Sequence, residues 1–177
     1  SLQEAIRHWF YIHNPYFYLP NYNDDKNKLL LDRLQRLSFR AFRPLLLAAF
    51  VSKQSWEEIN DLLTAAERYN FTLFSLCHRR SNTGDSEFFG MARELLKGNR
   101  TINSVVSTIN EWVDYYYDPV RFHSYIAEKY ELGQQGFFKW DGLRYFLFEY
   151  DAWLTTRGKQ ETMKLGWNDL KATSKDK

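Results

Sequence analysis

The chain has 177 residues, 44% of them hydrophobic and 18% aromatic, with 24 basic and 22 acidic side chains and a formal net charge of +2. That length suits one domain able to bury roughly 70% of the surface its unfolded chain exposes. The near balance of charge excludes a histone-like polyelectrolyte but not a local basic patch, and the single cysteine, Cys77, excludes an intrachain disulfide and a cysteine zinc cluster.

The first stretch, Ser1–His13, reads as a helix opened by a capping box: Ser1 and Glu4 stand three apart, and Ala5, Ile6, Trp9 and Phe10 follow as an apolar set. Glu4, Arg7 and His8 occupy the place where a signal peptide requires an apolar core. The chain opens on Ser1 and not on Met, as expected of a processed product or a piece of a longer protein. Asn14-Pro15 stops the helix, because a residue before proline avoids the α region. Tyr16–Asn23 then reads as an aromatic loop punctuated by Pro20. Asp24 or Asp25 caps a second helix whose core stripe is Leu30, Leu34 and Leu37, with Leu31 and Ala41 beside it. Its other face is basic, with Arg33, Arg36, Arg40 and Arg43 at spacings of 3, 4 and 3. Pro44 forces a break and then serves as a first-turn residue for Leu45–Val51, an almost wholly apolar helix expected to be buried.

Ser55 and Glu58 form a second capping box before a long helix, Trp56–His78, in which Ile59, Leu62, Leu63, Ala66, Tyr69, Leu73 and Leu76 keep helical spacing. Phe71–Phe74 is locally strand-like, but so short a run inside a helical pattern does not carry a strand. Arg79 and Arg80 follow at the helix end, where the dipole favours cations. After a loop at Ser81–Asp85, Phe88, Met91, Ala92, Leu95 and Leu96 mark a helix that ends at Gly98-Asn99. Thr101 opens the next, through Ile102, Val105, Val106, Ile109, Trp112, Val113 and Tyr116. Asp118-Pro119 is a cap with a first-turn proline, and Gly133–Gly136 is a turn.

Eight of the residues from Phe137 to Trp153 are aromatic. From Leu143 on, Leu147, Tyr150 and Leu154 share one helical face, Phe146 and Trp153 widen it, and Tyr145 and Phe148 lie elsewhere. A helix apolar on more than one side is expected at the centre of a fold. Gly158 ends it, Lys159–Lys171 is expected to form a last polar helix, and Thr173–Lys177 is expected to fray. The class expected is all-α: a single irregular helical domain over residues 1–177, with eight to nine helices around a central aromatic helix.

Motifs with chemistry are sparse. His8, His13, His78 and His123 form no HExxH and no i,i+4 pair, and adjacent Cys77 and His78 diverge on a helix, so no metal or other cofactor is expected. No nucleophile elbow and no Walker phosphate loop is present; Gly133-Gln134-Gln135-Gly136 lacks the Lys-Ser or Lys-Thr that would follow. Asp118, Glu128, Glu149 and Asp151 supply carboxylates, but no spacing selects them as an acid–base pair. The arginine stripe is the strongest positive signal: Arg33, Arg36, Arg40 and Arg43 could track the phosphates of duplex DNA. The competing expectation is a solvated face paired with carboxylates such as Asp24, Asp32 or Glu57.

Two stretches carry a family resemblance. Leu34–Phe50 reads LQRLSFRAFRPLLLAAF; Gly142–Leu154 reads GLRYFLFEYDAWL, with KLGWNDL following at Lys164–Leu170. Together they resemble the helical region of GmrSD-type restriction and phage-defence proteins. In that bacterial family this region lies between an N-terminal ParB-like domain, which handles nucleotide through a DGQQR motif, and an HNH-like nuclease domain opened by a motif similar to I-E-H-I-x-P. Gln134-Gln135 lacks the flanking Asp and Arg, and EHIxP is absent, so neither nucleotide-binding nor nuclease residues transfer to any position here. The resemblance implies a non-catalytic, cytoplasmic helical connector within a larger DNA endonuclease. It would hold the flanking catalytic domains and contact DNA through the four arginines. The alternative expectation is a free-standing protein–protein module whose contact patch is the aromatic segment from Tyr11 to Tyr22. No apolar run reaches the ~20 residues of a membrane span, so no membrane partner is expected.

Overall fold

A computed structural model describes residues 1–37, 39–77, 79–80, 84–128, 136, 140–158 and 165–170. The protein is all-α, with eight α-helices and no strand among the described residues. It divides into two compact units, Ser1–Arg121 and Phe122–Lys177, where length and composition point to one. No helix is long and apolar enough to cross a membrane.

The first unit holds helices α1 (Leu2–His13), α2 (Asp25–Leu37), α3 (Arg43–Val51), α4 (Trp56–Tyr69), α5 (Asp85–Leu96) and α6 (Ile102–Tyr116). Their starts follow from local sequence. Ser1 and Glu4 close one capping box, and Ser55 and Glu58 close another. Asp24 is the cap of α2, its Oδ1 accepting from the Asn27 N–H at 2.7 Å, and Thr101 caps α6 by accepting from the Ser104 N–H. Each such cap satisfies a backbone donor that the helix leaves orphaned. Pro44 sits in the first turn of α3. Because its ring would clash with the carbonyl four residues upstream, at Arg40, α2 cannot run on through it. The chain breaks at Phe39 and passes through a 3-10 turn, Arg40–Phe42, which drives Phe39 and Phe42 into the core.

α3 packs on α5, α4 on α6, α2 on α4, and α1 on α3. Phe42, Tyr69, Phe88 and Trp112 form the aromatic heart, with ring centroids 4.2 Å apart for Phe42–Phe88 and 5.2 Å for Tyr69–Phe88. Burial pushes the Tyr69 phenol up to about 12. Gly84 enters α5 with φ +86°, and a Cβ there would stand 2.9 Å from the Tyr69 hydroxyl and 3.0 Å from the Phe88 ring. Arg68 ties α4 to α6, donating to Asp114 at 2.6 Å and to Asn110 at 2.9 Å.

The long helix expected over Trp56–His78 changes hydrogen-bond register at Asn70. Asn70–Leu76 is a π-helix, and the Cys77 N–H reaches back five residues to the Thr72 carbonyl at 2.8 Å. The strand-like run Phe71–Phe74 falls inside this segment. His78 lies outside the described residues.

The second unit contributes α7 (Phe122–Ile126) and α8 (Leu143–Arg157). The buried core cluster is drawn entirely from Tyr11 to Val113, so the aromatic helix α8 is not the hub of that core. On α8 only Tyr145 and Phe148 are buried; Leu147, Tyr150, Trp153 and Leu154 are exposed. Of the polar helix expected over Lys159–Lys171, residues 165–170 are described, and 167–170 form a turn; the rest lies outside the described residues, as do Gly133–Gln135. This turn is clipped to α8. Arg144 lies over the Trp167 ring and donates to the Trp167 carbonyl; Trp167 meets Phe148 edge-on; the Leu165 N–H donates to Asp151 at 3.0 Å.

Candidate functional site

The four arginines singled out by spacing belong to three elements. Arg33 and Arg36 ride α2, Arg40 opens the 3-10 turn, and Arg43 opens α3. The break that Pro44 requires therefore divides the stripe. Arg33 stands 3.8 Å from Glu67 on α4, and Arg36 pairs with Asp32 one helical turn back. Arg43 lies 5.3 Å from the Phe39 ring centroid. Arg40 is exposed and enters no ion pair among the described residues. Three of the four guanidinium groups thus have intramolecular work.

The carboxylates available for acid–base chemistry also have local roles. Asp118 accepts from the Val120 N–H at 2.9 Å, and Asp151 accepts from the Leu165 N–H. Among the described residues no group of three or more His, Cys, Asp or Glu side chains could hold a metal ion. His13 Nδ1 lies 2.8 Å from the Trp9 carbonyl of its own helix. Cys77 is half-buried, its thiol turned to the Tyr116 carbonyl at 3.7 Å, and burial pushes its pKa up, away from a reactive thiolate.

The aromatic segment from Tyr11 to Tyr22 splits by fate. Tyr11 is wholly buried, Tyr22 is half-buried, and Tyr16, Phe17 and Tyr18 are exposed. The exposed part continues onto α1. Leu2, Ile6 and Phe10 recur every fourth residue on the outer face of that helix, 78%, 59% and 39% exposed, with Trp9 beside them. Phe17 meets the Phe10 ring edge-on at 5.2 Å, which joins the loop to the stripe. The opposite face of α1 buries Tyr11 and Ile12. α1 is therefore apolar on both sides, and one side has no cover within the described residues.

Sequence reasoning missed a cavity of about 570 Å³ in the first unit. α1 supplies Glu4, Arg7 and His8; the following loop supplies Leu19 to Tyr22; the end of α3 and its turn supply Phe50, Lys53 and Gln54; α4 supplies Trp56 and Ile59. The Tyr22 hydroxyl lies 2.7 Å from His8 Nδ1. Burial holds the His8 pKa below the ordinary histidine value, which favours the neutral ring. Burial likewise raises the Tyr22 pKa, which keeps the phenol protonated. No periodic signal links these residues, since each helix contributes only one edge. No family model matches the chain, and neither a curated protein nor a solved structure matches it.

Proposed function

We propose that the chain is the non-catalytic helical connector of a GmrSD-like defence nuclease, and that the outer face of α1 packs against a flanking domain of the same polypeptide. The observation that carries this reading is the stripe Leu2, Ile6 and Phe10, continued by Phe17. A connected apolar patch on a folded helical unit marks a surface that another protein surface covers. A free-standing interaction module would use the same stripe for an external partner. DNA contact is a smaller part of the reading. With Arg33 and Arg36 in ion pairs and Arg43 against Phe39, Arg40 remains the most available cation of the four.

The coding sequence on either side distinguishes the two sources of the partner. An upstream DGQQR and a downstream His-x-x-Pro support the connector. Stop and start codons close on both sides overturn it and leave the external partner. The DNA contribution is read from salt dependence. Four engaged arginines give a slope of log K against log salt of about −3.6, whereas one or two give about −1 to −2. The expected result is the shallower slope.

A further inference from the structure

We propose that the cavity between α1, the 19–22 loop, the end of α3 and the start of α4 binds a small planar aromatic molecule bearing a single acidic group. The proposal stands independently of the connector reading. At about 570 Å³ the cavity falls within the size range of small-molecule sites. Its walls are aromatic and set at steep angles: Tyr22 meets Trp56 at 65° and Phe50 meets Trp56 at 66°, with centroids 6.1 and 6.2 Å apart. Rings so disposed form the sides of a slot and do not stack on one another. Leu19 and Ile59 add apolar lining.

The rim selects charge. Arg7 and Lys53 come from different elements, and neither enters an ion pair within 4 Å among the described residues. The one carboxylate on the lining, Glu4, is turned to Ser1, the N-cap of α1, as the acceptor of its capping box. Lys53 contributes a field that lowers the Glu4 pKa, but Glu4 is committed elsewhere. Two cations therefore face an aromatic slot whose one lining carboxylate, Glu4, is exposed and held in the capping box, the arrangement that recognises an aromatic acid.

Backbone conformation supports the same place. Asn21 at φ +72° and Lys53 at φ +55° are the two non-glycine residues with left-handed backbone among those described, and both line this cavity. Lys53 stands just past the end of α3, where glycine is the favoured residue. Keeping lysine there costs conformational strain and places an ammonium group on the rim. The Tyr22–His8 hydrogen bond fixes two further lining side chains without charging either.

The test titrates 2-naphthoate, and separately its neutral amide 2-naphthamide, into the full chain while amide and indole N–H signals are followed by NMR. The expected result is saturable naphthoate binding with shifts centred on Arg7, Lys53 and Trp56, and clearly weaker binding of the amide. Lys53→Gly removes the cation and relieves the positive φ, so this variant melts no lower than the parent yet binds naphthoate about threefold to tenfold more weakly. Trp56→Ala, with Lys53→Gly as its folded control, abolishes saturation. The proposal is overturned by the absence of saturable shifts up to the solubility of naphthoate. Equal affinity for acid and amide, undiminished binding by Lys53→Gly, or shifts lying away from the cavity would each overturn it as well.

Discussion

The core of the first unit and helix α8 of the second handle aromatic side chains in opposite ways. In Ser1–Arg121, Phe39, Phe42, Tyr69 and Phe88 are each no more than 2% exposed. In Phe122–Lys177, the aromatic-rich helix α8 leaves Tyr150 48% and Trp153 49% exposed. The first unit's buried aromatics come one to a helix, Tyr11 from α1, Phe50 from α3, Tyr69 from α4 and Phe88 from α5, so several helices can converge on them. Those of α8 are crowded on one helix and point in several directions, and a single helix cannot bury residues on every side of itself. Aromatic density in a sequence therefore does not locate the core; apolar residues contributed by many elements to one place do.

The largest expected effect separates the units most sharply. Phe88→Ala should destabilise the first unit by about 3–5 kcal/mol, because it empties the centre of the aromatic cluster. Trp153→Ala should cost about 1 kcal/mol or less, since the side chain is 49% exposed and gives up only its stack on Tyr150 and the Arg157 guanidinium over its ring. Urea denaturation followed by NMR signals from each unit measures both, and similar costs would break the comparison. Gly84→Ala ranks next, at about 1–3 kcal/mol, since it adds a Cβ against Tyr69 and Phe88 and also demands a positive φ. Ser55→Ala should cost about 1 kcal/mol by opening the α4 capping box; an unchanged melting midpoint would mean that box contributes nothing.

The smallest effect is a pH slope. The folded-state pKa of His8 lies below its ordinary value of 6.5, chiefly through burial. The fold prefers the neutral ring, so this stabilisation is complete above the ordinary value and is lost as the pH falls through the lower folded value. Stability measured from neutral pH downward should decline more steeply in the parent than in His8→Gln. Parallel slopes would show that the burial of His8 does not couple its titration to folding.

Much of the first unit is written locally. Ser1 with Glu4, Ser55 with Glu58, Asp24, Thr101 and Pro44 each act within one helical turn, so their residue types alone announce the helix starts. The all-α class follows from the same signals. The register change at Asn70 has no such local mark. Its residues keep helical spacing, and Asn70, Thr72 and Leu73 are buried where α4 runs on, so packing sets the looser turn. The arginine stripe shows the opposite failure: spacings of 3, 4 and 3 imply one face only if the helix is continuous, and the clash between Pro44 and Arg40 ends that continuity. The cavity was illegible because Arg7, Tyr22, Lys53 and Trp56 meet only through tertiary packing. The role of α1 was half legible: Ala5, Ile6, Trp9 and Phe10 read as an apolar set, but that pattern does not say that Ile6, Trp9 and Phe10 lie on the exposed side.

That exposed side is where the account is most open to test. Amide hydrogen exchange should be measured for residues 2–18 in the chain alone and in the longer polypeptide that the connector proposal requires. The account predicts faster exchange along α1 in the chain alone and marked protection of Leu2 to Phe17 in the longer polypeptide, because a flanking domain covers Leu2, Ile6, Phe10 and Phe17. Identical exchange in the two would contradict it, showing that no flanking domain rests on this face and that the connector reading fails.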